Sequence, residues 1–577
     1  MRIALLTEGT LTTAQRDGGG WCGRLVDGLP EHEFRLYRLV PADRPAPPTG
    51  VRGLHGVHEL PMWGRRPAGR GPTALRRRAY VRAYEDLVRA LVGPDGRDGF
   101  GPALYRLAEL GREDDALPAF LSSGHAHRAL ERIWRMPGAD TAGGQPLVCD
   151  VLVAADLLEQ CLRPLSAPWY GTGTAGLGGA DLCHVVGGGP AALPALVARE
   201  LHGVPFVVTE HGLHLREQYR GYRSAPYRWP VRALLLSFFR QLTEETYRQA
   251  AVLTPGSAYD RQWQQRVGGD AARTRIVPEG TPATGRPAAG KEPAAPTLVW
   301  AGALEPGRDP ELMLHAFAHV RAELPEARLR MYGQEGAPGY LAHCEAIAER
   351  LGIAGAVDFA GLPESPAAAW ESGSAVVFSA LARRSPGLLA DAMLSGRAVV
   401  ATEVGVAREV LGPAGLLVPP RSPRALAGAC LALLTDHERR SRLGLAGRLR
   451  AQERFAVEPV VGAFREVYLD LVSRYPAFPA RPGAQARPFA RPAEYWVAGS
   501  ASTAAGSAGE PSAAGGETGP AAGAEGAGRA EAAGAPGRVV TAGAAVRTVT
   551  AGSVAAEVRK RAGVTLVKAG PALAEAL

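Results

Sequence analysis

The segment from Ser379 to Leu411 contains residue types that could hold an anion. The pair Pro386-Gly387 predicts the start of a helix that ends at Leu394, and the first N–H groups of such a helix can face a phosphate. A β-branched run at 374–378 precedes this helix, and a second apolar run at 398–402 follows it. The segment therefore predicts a diphosphate site at a sheet edge, although any αβ unit of a doubly wound domain shows the same pattern.

A second set of polar residues lies near the predicted ends of strands in the first half of the chain. His184 belongs to the run DLCHVV, and Glu210 and His211 close the run PFVVTEHG. Because parallel strands end at one edge of their sheet, we expect both histidines to face a cleft and to contact a substrate. A lone histidine is equally typical of a structural role, so both interpretations stay open.

The elements that would position these residues alternate regularly between strand and helix. Apolar runs of four to six residues recur between helical patterns in both halves of the chain. Such alternation predicts parallel sheets covered by helices on both faces. The fold class is therefore α/β, with two Rossmann-like domains that face a central cleft.

Changes in composition divide the chain into five predicted parts. The first domain covers residues 1–280, with a Pro-, Gly- and Arg-rich insertion at about 42–150, and a Pro-rich linker at 281–296 leads to the second domain at 297–475. An extension at 476–497 precedes a tail at 498–577 that is rich in Ala, Gly, Ser, Thr and Glu. Because this tail has few large apolar residues, it should be disordered, with a docking peptide in its last 24 residues as the alternative.

The charge pattern argues against nucleic acid as a partner. The formal charge is +8, yet only Lys291, Lys560 and Lys568 are lysines, so the basic composition reflects arginine use throughout the chain. The densest arginine cluster, at 65–82, contains one aromatic residue, Tyr80, and lacks the repeatedly interleaved aromatic residues of a single-strand binding surface. A solvated or interdomain face is the main interpretation, and contact with an acidic polymer or an anionic lipid is the alternative.

Several other classes of site are also not predicted. The six cysteines have no paired spacing, which argues against zinc and disulfides and favours a reducing cytoplasm. The first residues do not form a signal peptide, and no run of about 18 apolar residues could span a membrane. We expect no metal and no cofactor; Lys291, the one lysine outside the tail, lies in the linker, which disfavours a pyridoxal Schiff base.

Several short motifs follow one another along both domains. The first half contains EGT at Glu8, a Gly-rich loop before Trp21, GLPE at Gly28, PFVVTEHG and VPEG, and the second contains AGALEPGRDPE and GRAVVATEVGVARE. Over roughly residues 1–475, this order resembles the PelF-like retaining glycosyltransferases of family four. The resemblance implies the GT-B architecture, a cytosolic enzyme of exopolysaccharide synthesis, and a last helix within Val457–Leu471 that crosses back to the first domain.

The resemblance also implies substrates and site residues. A nucleotide-sugar, of the UDP type, would bind mostly to the second domain, a glycan or polysaccharide acceptor would bind to the first, and a membrane synthase complex is a possible partner. The implied residues are Glu8, Glu210 and His211 on the acceptor side, His184, His211, Arg383 and Asp391 for catalysis, and Gly18, Gly19, Gly302, Arg308, Gly333, Pro386, Gly387, Leu388, Leu389 and Asp391 for the donor.

Two departures from the family pattern affect this interpretation. The family places Glu, seven residues and Glu at the donor loop, and Arg383 and Asp391 occupy those positions here. The family also has an Arg and a Lys in its phosphate loop, where this chain has Ala303 and Arg308. Three functions therefore stay open: a working glycosyltransferase, a catalytically silent GT-B scaffold that binds a nucleotide or glycan, and another GT-B enzyme such as an epimerase or a phosphorylase.

Overall fold

Two parallel six-stranded sheets form the framework of this computed structural model, which describes residues 1–8, 20–40, 53–63, 70–93, 97–139, 144–283, 287–381 and 386–475. The first sheet has the strand order β3-β2-β1-β4-β5-β6. Its strands are β1 (Arg2–Glu8), β2 (Glu33–Val40), β3 (Leu54–Pro61), β4 (Leu182–Val186), β5 (Phe206–Glu210) and β6 (Val252–Pro255). The helices described with it are α1 (Trp21–Gly28), α2 (Ala74–Val92), α3 (Arg97–Asp114), α4 (Leu117–Leu121), α5 (Gly124–Trp134), α6 (Val148–Leu162), α7 (Ala192–His202), α8 (His214–Arg223), α9 (Trp229–Gln249) and α10 (Ala258–Arg266).

The second sheet repeats the same winding, with the strand order β12-β11-β10-β7-β8-β9. Its strands are β7 (Thr297–Ala301), β8 (Arg328–Tyr332), β9 (Val357–Gly361), β10 (Ala375–Phe378), β11 (Ala398–Thr402) and β12 (Leu416–Val418). The helices that follow are α11 (Pro310–Glu323), α12 (Tyr340–Arg350), α13 (Pro366–Glu371), α14 (Pro386–Leu394), α15 (Ala407–Leu411), α16 (Pro423–Thr435), α17 (His437–Phe455) and α18 (Val457–Arg474).

Strands such as β1, β7 and β10 form because their apolar side chains are buried on both sides of the sheet. In β7, Leu298 and Trp300 pack into the core on one face, and Val299 packs into a separate core on the other. Local signals fix the helix starts, as at α11, where Asp309 accepts a hydrogen bond from the N–H of Leu312 and Pro310 occupies the first turn. The α/β fold class with two Rossmann-like domains is confirmed.

The predicted insertion at 42–150 contains part of the first sheet. Residues 54–61 form β3, which pairs in parallel with β2 at the sheet edge. The sequence analysis missed this strand because its edge position leaves alternate residues exposed, and its His and Gly content hides the apolar pattern. The same region contains α2 and α5, whose apolar faces join the core of the first domain.

Helix α18 returns from the second domain and packs on the first. Arg465 Nε donates to Glu31 Oε1 at 2.6 Å, and Tyr468 is buried against the first domain. Just before this helix, the N–H of Thr281 donates to the carbonyl of Phe455 at 2.6 Å. The structure therefore has the crossing helix that the resemblance implied within Val457–Leu471.

The segment predicted as a linker is held partly against the second domain. The N–H of Ala289 donates to the carbonyl of Ser395 at 2.7 Å, and Glu292 pairs with Arg440 at 2.6 Å. The extension at 476–497 and the tail at 498–577 lie outside the described residues, so the disorder predicted for the tail stays a prediction. Among the described helices, none has the length and apolar character needed to cross a bilayer.

Candidate active site

The carboxyl edges of the two sheets face each other at one observed contact. Both carboxylate oxygens of Glu409, on α15 of the second domain, accept from the N–H of Ala258 at 3.0 and 2.8 Å. Ala258 begins α10 immediately after β6, and α15 follows β11, so the contact joins the loops after two strands. Ligands of doubly wound sheets bind at such edges, which makes the space beside this contact the candidate site.

Gly302 and Gly333 form a close backbone contact at the edge of the second sheet. The N–H of Gly302 donates to the carbonyl of Tyr332 at 3.0 Å. A Cβ atom on Gly333 would lie 1.8 Å from the carbonyl oxygen of Gly302, so no side chain fits there. The N–H of Leu304 also donates to the carbonyl of Gln334, which joins the loops after β7 and β8 into one surface.

Arg308 lies in the loop that connects β7 to α11. Its side chain is 15% exposed, and its Nε lies 3.5 Å from a carboxylate oxygen of Glu305. Ser379 Oγ, at the end of β10, contacts the carbonyl oxygens of Arg308 and Asp309 at 3.0 and 2.7 Å. Ser379 is itself held by the indole N–H of Trp300 at 2.8 Å. The loop that carries Arg308 is thus fastened to the strand that precedes the predicted phosphate loop.

Helix α14 begins at Pro386, as the sequence predicted. Gly387 and Leu388 are partly exposed in its first turn, where helix N–H groups have no helical acceptor, whereas Leu389 is buried. Asp391, one turn further on, accepts a hydrogen bond from the indole N–H of buried Trp370 at 2.6 Å. The carboxylate predicted to bind the donor is therefore also hydrogen-bonded to a side chain of α13.

Glu8 ends β1 at the edge of the first sheet. Its Oε1 accepts from the N–H of Ala191 at 2.9 Å, next to the start of α7. A Cβ atom on Gly189 would lie 2.4 Å from the same oxygen, so a larger residue at this position would displace the Glu8 carboxylate. Glu8 is exposed, and its position at the cleft edge agrees with the acceptor-side role that remains a prediction.

Glu210 has a different position from the one we expected. Its side chain is 1% exposed and accepts from the hydroxyl of Tyr247, from Gln264 Nε2 at 2.9 Å and from the N–H of His214 at 3.2 Å. Burial, followed by the charge of Glu210, raises the pKa of Tyr247 well above its ordinary value. Glu210 therefore stabilises the interior of the first domain through buried hydrogen bonds. The expectation that it contacts the acceptor directly is wrong.

His211 follows β5 directly and is partly exposed at the edge of the sheet. Its ring stands edge-on to the ring of Trp21, with 4.8 Å between ring centroids. Trp21 begins α1, immediately after the Gly-rich loop. His211 thus lies where a group contacting an acceptor is expected, and its catalytic role stays a prediction.

His184 lies in the middle of β4 and is fully buried, which corrects the expectation that it faces the cleft. Its Nδ1 is 2.5 Å from the hydroxyl of Tyr468, and its Nε2 is 2.6 Å from Thr209 Oγ1. Thr209 in turn contacts Thr254, whose hydroxyl donates to the carbonyl of Val208 at 3.2 Å.

This chain of hydrogen bonds assigns the proton of His184 to Nε2 and makes Nδ1 the acceptor from Tyr468. Desolvation is the main cause that lowers the pKa of His184 to about 3. The ring is therefore neutral at physiological pH and joins α18 to the first sheet. No direct contact with a sugar is available to it.

Three of the predicted site residues, Gly18, Gly19 and Arg383, lie outside the described residues. In the part of the chain that the structure describes, no group of three or more His, Cys, Asp and Glu side chains is arranged to hold a metal ion. All six cysteines carry free thiols, and Cys149 is the exposed one.

The sequence analysis did not identify Ser379, Trp300 and Trp370 as parts of the site. Trp300 and Trp370 are large apolar residues of the kind expected in any protein core, so their indole N–H groups gave no signal. Ser379 directly follows the apolar run of β10, where a small hydroxyl residue is compatible with either a turn or a ligand contact. Only the fold brings Ser379 to the loop of Arg308.

Comparison with known families divides the chain at the same place as the two sheets. Residues 1–272 match a domain of unknown function designated DUF3492. Residues 295–436 match the family described as Glycosyl transferases group 1.

Two curated relatives match this chain in part. A D-inositol 3-phosphate glycosyltransferase of Streptomyces bingchenggensis is 32% identical over 209 residues, which cover 34% of this chain and 46% of that protein. A protein of the same name from a Nocardioides species is 29% identical over 301 residues, which cover 47% of this chain and 63% of that protein. The chain thus spans about half the length of the curated relatives it matches.

A solved structure extends the likeness to both sheets. HepE of Anabaena, crystallised in complex with UDP, aligns with a TM-score of 0.51 and 14% identity, covering 82% of this chain and 100% of that one. At this identity the likeness concerns the fold alone. Residues 295–436, which contain the second sheet and Arg308, thus match the Glycosyl transferases group 1 family, and the two sheets have the GT-B arrangement.

Proposed function

We propose that this protein is a retaining glycosyltransferase that moves a sugar from a nucleotide-sugar, of the UDP type, to a glycan or polysaccharide acceptor. One observation carries the proposal: Ser379 fastens the loop of Arg308 to the end of β10, so that a cation lies at the sheet edge from which α14 follows. A cation and a helix N-terminus at one edge suit a diphosphate.

The donor would bind at the second domain through few polar groups. Arg308 would pair with the diphosphate, and the backbone N–H groups of Gly387 and Leu388 would add donors at the start of α14. Asp391 would accept from a ribose hydroxyl, because a carboxylate has more acceptor positions than the bond from Trp370 occupies. The bare backbone of Gly302 and Gly333 would allow the phosphates to approach closely.

In the proposed reaction, the bond between the anomeric carbon and the β-phosphate oxygen breaks. The acceptor hydroxyl oxygen forms a new bond to the same face of that carbon, and its proton passes to the departing phosphate oxygen. The cationic environment of Arg308 stabilises the negative charge that develops on the diphosphate. Glu8 and His211 would orient the acceptor from the first domain.

The comparisons support a nucleotide-sugar as the donor. The acceptor class is proposed from the resemblance in the sequence. The curated relatives are named as glycosyltransferases, and HepE binds UDP. The motif order along both domains resembles the PelF-like enzymes, which suggests exopolysaccharide synthesis in the cytoplasm, beside a membrane synthase complex.

A catalytically silent scaffold that binds a nucleotide or a glycan is the second candidate. Its specific support is the hydrogen bond from Trp370 to Asp391, which gives the family's ribose-binding position a structural task. Arg383 stands where the resembling family has its other carboxylate, and this difference also favours the scaffold. Under this alternative the protein binds nucleotide without consuming a nucleotide-sugar.

Titration calorimetry with UDP, GDP and ADP, followed by hydrolysis and transfer assays with the matching nucleotide-sugars, separates the candidates. We expect UDP to bind best and a UDP-sugar to be consumed. Binding without turnover for every donor would favour the scaffold. Absence of binding by all three nucleotides would reject the glycosyltransferase and the nucleotide-binding scaffold, and only a scaffold that binds a glycan would remain.

A further inference from the structure

A strongly basic surface begins at the edge of the first sheet and follows α8. Residues 214–232 contain five arginines and one acidic residue, Glu217, so their net charge is +4. The arginines are Arg216, Arg220, Arg223, Arg228 and Arg232. Unlike the arginine cluster at 65–82, this segment carries exposed aromatic side chains, Tyr219 at 48% and Trp229 at 49% exposure.

The arginines of α8 form one line that starts at the cleft. Arg216, Arg220 and Arg223 are spaced i, i+4 and i+7, which places them on one face of the helix over about 10 Å. The helix begins four residues after Glu210, the last residue of β5. At this end, Arg216 Nη1 donates to the hydroxyl of Tyr259 at 2.9 Å, and Tyr259 packs against the core of the second domain.

Little of the positive charge of this surface is neutralised by the acidic groups that the structure describes. Arg220 is 58% exposed, and its Nη1 is 3.5 Å from Glu217, a distance too long for a strong ion pair. Arg232 donates to the backbone carbonyls of Tyr227, Arg223 and Ala225, which carry no formal charge. Arg228, which follows α8, pairs with the buried carboxylate of Asp150.

We propose that this surface, which we call the basic track (Arg216, Tyr219, Arg220, Arg223 and Trp229), binds an acceptor glycan that carries negative charge. The guanidinium groups would pair with carboxylates or phosphates on the glycan. Tyr219 and Trp229 would cover the apolar faces of sugar rings. The inference rests on the proposed function, and it adds that the acceptor is anionic.

The placement favours a glycan chain over a membrane surface. The arginines of α8 form one line that starts at the cleft, where the growing end of an acceptor must lie. The aromatic ring of Tyr219 lies between two of them in the sequence. The exposed aliphatic residues nearby, Leu147 and Val148, lie at the start of α6 and outside the line. An anionic membrane is the competing occupant, and the experiment includes it.

The test compares oligosaccharides of equal length and different charge by titration calorimetry at low salt. Octagalacturonate supplies carboxylates, a glycerol-phosphate octamer supplies phosphates, and maltooctaose is neutral. We expect one or both anionic oligomers to bind, to weaken as salt rises, and to lose about five- to tenfold in affinity in Arg220→Ala/Arg223→Ala. The ratio between the two anions identifies the charged group.

A matched control separates the track from general basicity. Arg442 is also an exposed helical arginine with a long intrahelical ion pair, 3.4 Å from Glu438, but it lies on α17. Arg442→Ala should leave oligosaccharide affinity unchanged. Equal loss in Arg442→Ala, or equal binding of maltooctaose, would overturn the proposal.

Two further measurements keep the conclusions independent. Flotation with phosphatidylglycerol vesicles tests the competing occupant: binding to vesicles that depends on Arg220 and Arg223, without binding to either anionic oligomer, would overturn the glycan proposal. UDP affinity is measured on the same wild-type sample. Absent UDP affinity counts against the proposed function, whereas the oligomer comparison still decides whether the track binds an anionic glycan.

Discussion

Arg308 is a single charged side chain on which the donor proposal depends. Ser379, which is hydrogen-bonded to Trp300, holds the loop of Arg308 in place. The backbone that carries the guanidinium is therefore fixed, although the side chain itself is partly exposed. The family position for the other cation is occupied by Ala303, which cannot share the charge of a diphosphate. Under the proposed function, phosphate recognition therefore depends on one residue and a helix terminus.

The first prediction follows from this concentration. Arg308→Ala should weaken UDP binding by about tenfold or more, the usual contribution of a charge-assisted hydrogen bond. Arg308→Lys should recover part of the loss, because it restores charge without the planar fork. Calorimetry measures both, with Arg330→Ala on β8 as the control in the same domain. Unchanged affinity in Arg308→Ala would remove this residue from the site.

Arg383 lies outside the described residues, and its prediction rests on its position in the sequence. It replaces the carboxylate that faces the transferred sugar in the resembling family. If Arg383 binds phosphate, Arg383→Glu should weaken every nucleotide-sugar to a similar degree. If Arg383 pairs with an acidic sugar, Arg383→Glu should lose activity with uronate donors and keep its activity with neutral ones. Donor-panel kinetics distinguish these results, and unchanged turnover with all donors would mean that the position has no role.

His184 predicts a pH dependence of stability. Burial lowers its pKa to about 3 in the folded protein, whereas an unfolded histidine titrates near 6.5. The unfolded state therefore binds more protons below about pH 6.5, and stability falls as the pH decreases toward 3. Between pH 7 and pH 5 this histidine should cost about 2 kcal/mol of unfolding free energy.

Denaturant melts at the two pH values check this prediction. His184→Gln should remove about 2 kcal/mol from the pH-dependent loss. His319→Gln, at an exposed position of α11, is the control and should retain the wild-type loss. Burial also lowers the pKa of His32 to about 4, so some acid sensitivity should remain in His184→Gln. Equal pH dependence in wild type and His184→Gln would contradict the assignment.

At the scale of elements, apolar runs bounded by turn residues predicted most strands of both sheets. The run Ala398–Thr402 matches β11, all of whose residues are buried, because strands buried on both faces are continuously apolar. The edge strand β3 was missed, because a strand at the edge of a sheet can leave alternate side chains exposed and need not be continuously apolar. Site residues were predicted less well: sequence spacing places His184 in a strand, but only the packing of α18 determines what its ring contacts.

Helix α18 yields a prediction about coupling between the domains. Tyr468→Phe removes the hydroxyl that donates to His184 Nδ1 and should lower the free energy of unfolding by about 1 to 3 kcal/mol. In the double variant His184→Phe/Tyr468→Phe, both polar groups are absent, so the combined loss should be smaller than the sum of the single losses. A denaturant double-mutant cycle measures this difference. Strictly additive losses would mean that the two side chains do not interact.

At the scale of the whole molecule, residues 1–475 contain the apolar material of both domains. The first core uses side chains from Ala4 to Leu253, and the two cores of the second sheet use side chains from Leu298 to Phe455. Helix α18 then covers the first domain with Phe464, Tyr468 and Leu471, which are all buried. Each sheet is therefore covered before residue 476.

The last prediction follows from this distribution of apolar residues. A chain that ends at residue 497 should keep its melting temperature within about 2 °C of the full chain, because the removed residues include few large apolar side chains. Its UDP affinity should also be unchanged, since the proposed donor groups lie between Gly302 and Asp391. A chain that ends at residue 456 is the matched control: it lacks α18 and should lose cooperative unfolding of the first domain. A decrease of many degrees in the 497-residue chain would instead mean that the tail docks on the folded domains.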